Sequence, residues 1–387
     1  MSTVRLSLRT VAPEVTSVTD LDGFRAMEQE WNSLVTAHND CLFLRHEFLR
    51  VWIESFAPKA SLQVLTGRSP DGDLVAALPL LRQRGSFHGI PVRETIAMAN
   101  DHSCRFDMIA EEPAAAGEAF FRYLARQDDW DVLRITGVPD HGQAWHLFRA
   151  ARAAGFPVGI WECQRSPYLL LPTNSPFSEE GQPGRAISPR QRSNARRRLR
   201  QMEAKSSVKF ECVQGPGLAS GLQDFFDVER GSWKGRKGTA CDQDEKTRAF
   251  YTHLAEVAAE RNWLSMFRLI LDGRTAAVHY GLTYGGSYLL PKVAFREEFS
   301  ELSPGVVLMN EVIDACTSQK LSCVEFLGSD DEWKLRWSRA IVPHFWLFIF
   351  RNNLKCRLLQ RAKFTWAPKV KSILNRTDNS GGTDESS

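Results

Sequence analysis

The sequence predicts an α/β fold with mixed sheets, built from two similar halves in tandem. Three observations predict it. "LDGFRAMEQEW" near residue 21 is answered by "LQDFFDVERGSW" near 222; each sets Phe, then Glu four positions on, then Trp about a turn later (Phe24, Glu28, Trp31; Phe225, Glu229, Trp233). "DGDLVAALPLL" from 71 is answered by "DGRTAAVHYGL" from 272. "DVLRITG" from 131 is answered by "CVEFLG" from 323. The offsets fall in one order near half the chain length, which marks an internal duplication. The join is placed between Pro157 and Pro172, giving expected units of 1–165, 166–350 and a basic helix with a disordered tail over 351–387.

Composition fits this reading. The chain has 387 residues, 43% hydrophobic and 25% charged, with a net charge of only +3. Dedicated nucleic-acid binders carry a larger domain-wide excess, so this balance argues against nucleic acid as the partner. The eight cysteines form no CxxC pair and no metal-like cluster, so no metal is expected and the thiols read as reduced. The opening residues hold no apolar run of signal-peptide type, and "FWLFIF" at 345–350 is too short to cross a bilayer. A cytoplasmic location is expected.

The elements of the second half follow in order. A helix over 243–261 precedes three strand-like runs, "LSMFRLIL", "TAAVHYGLTY" and "SYLLPKVAF". "DG" at 272 and "GG" at 285 supply tight hairpin turns between them. A crossover helix over 304–319, the strand "CVEFL", a short helix "DEWKLRW" and the strand "HFWLFIF" complete the half.

The crossover helix begins "LSPGVV". Ser303 reads as its N-cap and Pro304 as its first residue. The amides of Gly305, Val306 and Val307, with the helix dipole, then form an anion site. Ser-Pro-Gly also reads as an ordinary helix start. The strand before it tips the balance, because Pro291 cannot donate to a ladder and is tolerable where the strand diverges from a neighbour. Such a gap would admit an extended ligand with its phosphates on the helix start. The first half has Glu111 and Glu112 at the equivalent place, where carboxylates would repel a pyrophosphate. That half is expected to be scaffold and one wall of an acceptor cleft.

Three segments, "PKVAFREEFSELSPGVVLMNEVIDA", "EFLGSDDEWKLRW" and "SPRQRSNARRRLR", resemble the cellulose-biosynthesis (CelD/BcsL-type, BioF2-like) acetyltransferases, a branch of the GNAT acyltransferases in tandem. The Fem-type aminoacyl transferases are similar more distantly. The resemblance covers about residues 15–350 and departs from the usual GNAT phosphate loop, keeping only Gly305 of its glycines. It implies acetyl-CoA or another acyl-CoA as co-substrate. It also implies a polar glycan, sugar or lipid-linked acceptor of small-molecule size in envelope or exopolysaccharide biosynthesis.

Acyl transfer needs a base, an oxyanion donor and charge compensation for the departing thiolate. His279 is the candidate base, though it also reads as a hydrogen-bonded core histidine; Asp330 is a second candidate, in an acid trio that also reads as helix capping. A backbone N–H between Lys292 and Ala294 is the candidate oxyanion donor. Lys292 and Lys334 match lysines that recur in the resembling family and could neutralise phosphate or thiolate. Trp233 and Tyr288 are candidate walls of the acceptor pocket, or core. No Ser/His/Asp or Cys/His nucleophile pattern is present, in keeping with direct transfer.

The run "AISPRQRSNARRRLRQ" holds six arginines. Ala195, Leu199 and Met202 form its apolar stripe, and the arginines cover the remaining arc. It reads as a solvated face or an anion-gripping edge, with Arg192, Asn194 and Arg197 matching the family's basic-x-Asn pattern. The segment 351–371 is basic without one acid, which suits peripheral contact with the inner face of an anionic membrane; a helix folded back on the domain is the alternative. Two rival functions remain open: a Fem-like transferase using aminoacyl-tRNA, and a non-catalytic adaptor for nucleic acid or membrane.

Overall fold

The computed structural model describes residues 12–366 other than 88, 173–186 and 214–216. The tail expected to be disordered lies outside these residues.

The first half runs β1 (Glu14–Val18), α1 (Leu21–Arg25), α2 (Glu28–His38), α3 (His46–Phe56), β2 (Ser61–Arg68), β3 (Leu74–Phe87) and β4 (Ile90–Ala97). It continues through β5 (Ile109–Ala110), α4 (Pro113–Arg126), β6 (Val132–Pro139), α5 (Ala144–Ala153) and β7 (Val158–Leu170). The second half opens with α6 (Pro189–Glu203), β8 (Val208–Val213), α7 (Leu218–Arg230), α8 (Trp233–Arg236) and α9 (Glu245–Glu260). Then come β9 (Met266–Leu271), β10 (Arg274–Tyr284), β11 (Ser287–Phe295), α10 (Pro304–Ser318), β12 (Cys323–Glu325), α11 (Glu332–Leu335), β13 (Ile341–Phe350) and α12 (Leu354–Arg361).

The same script is present twice. An antiparallel meander (β2–β3–β4; β9–β10–β11) leads through a crossover helix (α4; α10) to a strand parallel to its last member, β6 beside β4 and β12 beside β11. The Asp-Gly and Gly-Gly pairs expected at hairpin turns are there: Asp272 and Gly273 have positive φ, at 48° and 78°, as do Gly285 and Gly286, at 55° and 74°, which matches the right-handed twist of the strands they join.

The halves are joined by exchanged strands. One sheet has the order β1-β2-β3-β4-β6-β13-β7-β12-β11-β10-β9-β8. β13, the last strand, lies in the first half between β6 and β7, antiparallel to both. β7 pairs with β13 as far as Pro167, and its final residues Tyr168–Leu170 pair with β12 of the second half. The boundary expected at 165/166 therefore falls inside β7, and β13 crosses it in the opposite direction.

Apolar burial follows this layering. On one face, Phe24, Trp31, Phe48 and Trp52 from α1–α3 share a core with Phe225, Phe250, Tyr251 and Tyr280. On the other face, α4 and α5 cover the first half, while α6 and α10 cover the second. Phe48 and Phe250 meet edge to face at 5.7 Å across the junction of α3 and α9, a geometry that suits the ring quadrupoles.

Candidate functional site

β11 leaves β12 early. They pair only at Ser287–Leu289 against Cys323–Glu325, while β11 continues beside β10 to Phe295. The departure coincides with Pro291 and a bulge, since Gly281 of β10 alone faces Leu290 and Pro291. Gly281 is required there, because a Cβ would sit 2.0 Å from the Tyr288 hydroxyl. The Arg296 N–H bonds the Ala276 carbonyl at 2.9 Å. Antiparallel alternation then turns the amides of Ala294 and Lys292 toward β10 and those of Val293 into the gap. Within 292–294, Val293 is thus the residue whose N–H faces the wedge; Ala294 does not offer one.

Lys234 of α8 also enters the gap. Its Nζ donates to the Val293 carbonyl at 2.9 Å and to Glu229 at 2.7 Å. Burial alone would raise the Glu229 carboxyl, but Lys234 and the Cys241 N–H hold it below its usual range.

At the mouth, the expected cradle of three amides is reduced. Ser303 has left-handed backbone (φ 57°) and makes no side-chain cap. Its carbonyl takes the N–H of Val306 at 3.1 Å and of Val307 at 3.4 Å. Of the three amides expected, those two are committed, and the Gly305 amide remains for an anion. Space beside Gly305 is bounded by the Phe295 ring, 3.6 Å from where a Cβ would stand.

The arginine helix α6 lies on α10, with Ala195 and Met202 buried as its stripe required. Arg192 pairs with Asp314 at 2.7 Å, in the C-terminal half of α10. Arg197 donates to Asn194 at 3.2 Å on an exposed surface. Neither places its charge at the mouth. Arg198 does: its guanidinium donates to the Glu301 carbonyl, four residues before Gly305, at 3.3 Å.

Lys292 projects toward the first half, its Nζ 5.5 Å from the Tyr251 ring centre. Facing it is an excursion, residues 98–108, that interrupts the strand formed by β4 and β5 along β3. The Phe106 N–H bonds the Gly137 carbonyl of β6, closing the first half's own divergence of β4 from β6. Arg105 donates to Glu325 of β12 at 2.6 Å, and Gln164 to the Cys104 carbonyl at 2.6 Å. His102 meets the Tyr251 hydroxyl at 3.1 Å. Burial, and then the Lys292 charge, push its pKa down to about 4. Beside the excursion opens a cleft of 840 Å³, walled by Trp52, Phe56 and Trp346. Its lining charges are Lys59, Arg105, Arg134 and Lys246 against Asp101 alone. Volume and mixed lining are those of a small-molecule site.

Other expected residues lie elsewhere. His279 is 2% exposed, and burial pushes its pKa down to about 3; a side chain so enclosed does not reach an acceptor. Lys334 is buried, with Nζ donating to the carbonyls of Leu327 and Ser329 and paired with Asp331 at 2.9 Å. Three partners exhaust its three protons, so it ties the loop after β12 rather than neutralising a ligand. Asp330 stands 3.7 Å from Arg165, away from Lys292's side of the sheet. Tyr288 is fully buried in the core, whereas Trp233 is 46% exposed under Lys237.

Sequence reasoning missed His102, Lys234 and Arg198. A signal existed for the first, since "NDHSCRFD" interrupts a strand pattern with polar residues. Lys234 follows the repeated Glu229 by five positions, and only the turn between α7 and α8 brings the two together.

No curated protein matches the sequence. Among solved structures, FemX aligns with a TM-score of 0.56 at 11% identity, over 90% of this chain and 100% of that one. L-PGS from Bacillus licheniformis aligns with a TM-score of 0.51 at 11% identity, over 90% and 98%. A conserved protein of unknown function from Bacteroides thetaiotaomicron aligns with a TM-score of 0.53 at 10% identity, over 87% and 100%. These likenesses concern the fold. Residues 189–335 match the family model of the acetyltransferase (GNAT) domain, and the first half repeats the meander, crossover helix and parallel strand found there, so the chain folds as two GNAT-like halves in tandem.

Proposed function

We propose that the protein is an acyl-CoA-dependent acyltransferase, an acetyltransferase by its resemblance, with the thioester arm between β11 and β12. The observation that carries this is the divergence of β11 from β12 after Leu289, which turns the Val293 amide away from β10 beyond the last pairing with β12. The domain match over 189–335 covers both strands and the helix start.

In this reading the Val293 N–H takes the developing oxyanion, and Lys234 adds a fixed positive charge beside it. The acceptor enters from the cleft beside the 98–108 excursion, past His102 toward Lys292. His102 is neutral at pH 7 and can receive the proton of an attacking amine or hydroxyl. The cationic lining favours an anionic acceptor, in keeping with a charged sugar, glycan or lipid-linked precursor of envelope or exopolysaccharide synthesis.

The test is a thermal-shift series with coenzyme A, acetyl-CoA and longer thioesters on the parent and Gly305→Glu. The parent should be stabilised. The variant has room for a Cβ, so it should fold and yet lose the shift. Equal shifts in both proteins would remove the mouth at Gly305.

A further inference from the structure

α12 packs on the sheet through Cys356 and Leu359, which join Phe87, Val92, Phe348 and Phe350. Its other apolar residues do not. Leu354 is 75% exposed and Leu358, one turn on, 45%. Ile90 and Trp161 extend the apolar rim at 45% and 53% exposure. Ile90 adjoins Pro91, whose carbonyl takes the Lys355 Nζ at 2.9 Å. Trp161 lies under Lys363, 5.7 Å from its ring centre.

The charges around this rim are mostly positive. α12 contains Lys355, Arg357 and Arg361 and no acid, and Lys363 follows. Asp131 nearby is engaged by Arg93 and Lys355, leaving Glu162 as the acid beside Trp161. Exposed leucines and a tryptophan ringed by cations match a bilayer interface, where apolar side chains enter the acyl boundary and cations meet lipid phosphates. A nucleic-acid duplex would meet the cations but offers no apolar layer for Leu354 and Leu358. The surface also borders the cleft: Trp161 stands opposite Trp346 in the β7–β13 pairing, and Trp346 lines the cleft wall.

We propose that α12, with Trp161 and Ile90, is a docking surface for anionic lipid bilayers, holding the cleft walled by Trp346 at the headgroup layer. This goes beyond the acyltransferase reading and stands without it.

The experiment is co-sedimentation of the full chain with phosphatidylcholine vesicles, with and without phosphatidylglycerol. The parent should sediment with the anionic vesicles, less so as salt rises, and stay in solution with the neutral ones. The pair Leu354→Glu/Leu358→Glu, at exposed positions that leave the fold intact, should lower the bound fraction by about ten-fold. Arg357→Glu/Arg361→Glu should lower it similarly. A parent that ignores anionic vesicles, or a leucine pair that binds as the parent does, would overturn the proposal. So would a concentration-dependent dimer that the leucine pair abolishes without any vesicle binding.

Discussion

Lys234 reaches from α8 to the carbonyl oxygen of Val293 at 2.9 Å, and Glu229 holds its charge there at 2.7 Å. The pair is enclosed: the Glu229 side chain is 1% exposed and that of Lys234 18%. Lys234→Met would strand a buried carboxylate, a change that costs about 3–5 kcal/mol. Adding Glu229→Gln should recover part of the loss, because the amide can still accept the Cys241 N–H. Urea unfolding near neutral pH reads both variants. The Glu229 carboxyl lies below its ordinary value in the folded state. Its contribution is therefore complete above about pH 4.3, the unfolded value, and is lost as pH falls through the lower folded value.

The exchanged strands predict that neither half survives alone. Ending the chain after Ala340 removes β13, and with it the partner of β6 and of most of β7. Open edges of that length pair with other chains. The truncated protein should aggregate or lose its near-ultraviolet circular dichroism, as should residues 12–170 expressed alone. A soluble, cooperatively unfolding 12–170 would mean that β13 is dispensable to the first half.

These two cases show what the sequence made legible. Local periodicity and turn residues located β9 to β11, α10 and β12 within about two residues, since hairpins and capped helices are written in neighbouring side chains. The divergence was legible through Pro291 for the same reason. The destination of β13 was not: "HFWLFIF" is equally apolar wherever it pairs, and only the sheet order decides. His102 faces Tyr251 across 149 positions, and Arg105 reaches Glu325 across 220; no local pattern encodes such meetings. His279 misled because a histidine in a strand looks the same buried or poised.

Gly281 allows a sharper test of the wedge. A Cβ there would meet the Tyr288 hydroxyl at 2.0 Å, and Tyr288 is fully buried between β10 and α10. Gly281→Ala should destabilise by about 1–3 kcal/mol through overpacking. It should also abolish any thermal shift by coenzyme A, because the bulge opposite Pro291 has to move. Gly305→Glu should abolish the shift at unchanged stability. If Gly281→Ala binds coenzyme A as the parent does, the bulge does not set the opening.

Enclosed histidines give the protein an acid-sensitive range, His279 and His344 foremost. His279 and His344 are 2% and 1% exposed. His279 Nδ1 and His344 Nε2 are buried without partners among the described residues. Burial pushes His279 down to about 3; burial, then the charge of Arg105, pushes His344 down to about 4. Both folded values lie below the unfolded value of about 6.5, so on acidification the unfolded chain binds protons first. The stability from keeping them neutral is complete above that value. Below it, each should lose about 1.4 kcal/mol per pH unit, until about pH 4 for His344 and about pH 3 for His279. Urea midpoints measured between about pH 7 and about pH 5 should fall accordingly. His279→Met, which takes up no proton, should remove its own share of that slope while leaving the shares of His344 and of His102, which burial likewise pushes down to about 4. A variant that keeps the parent's full slope would show that His279 is protonated in the folded protein.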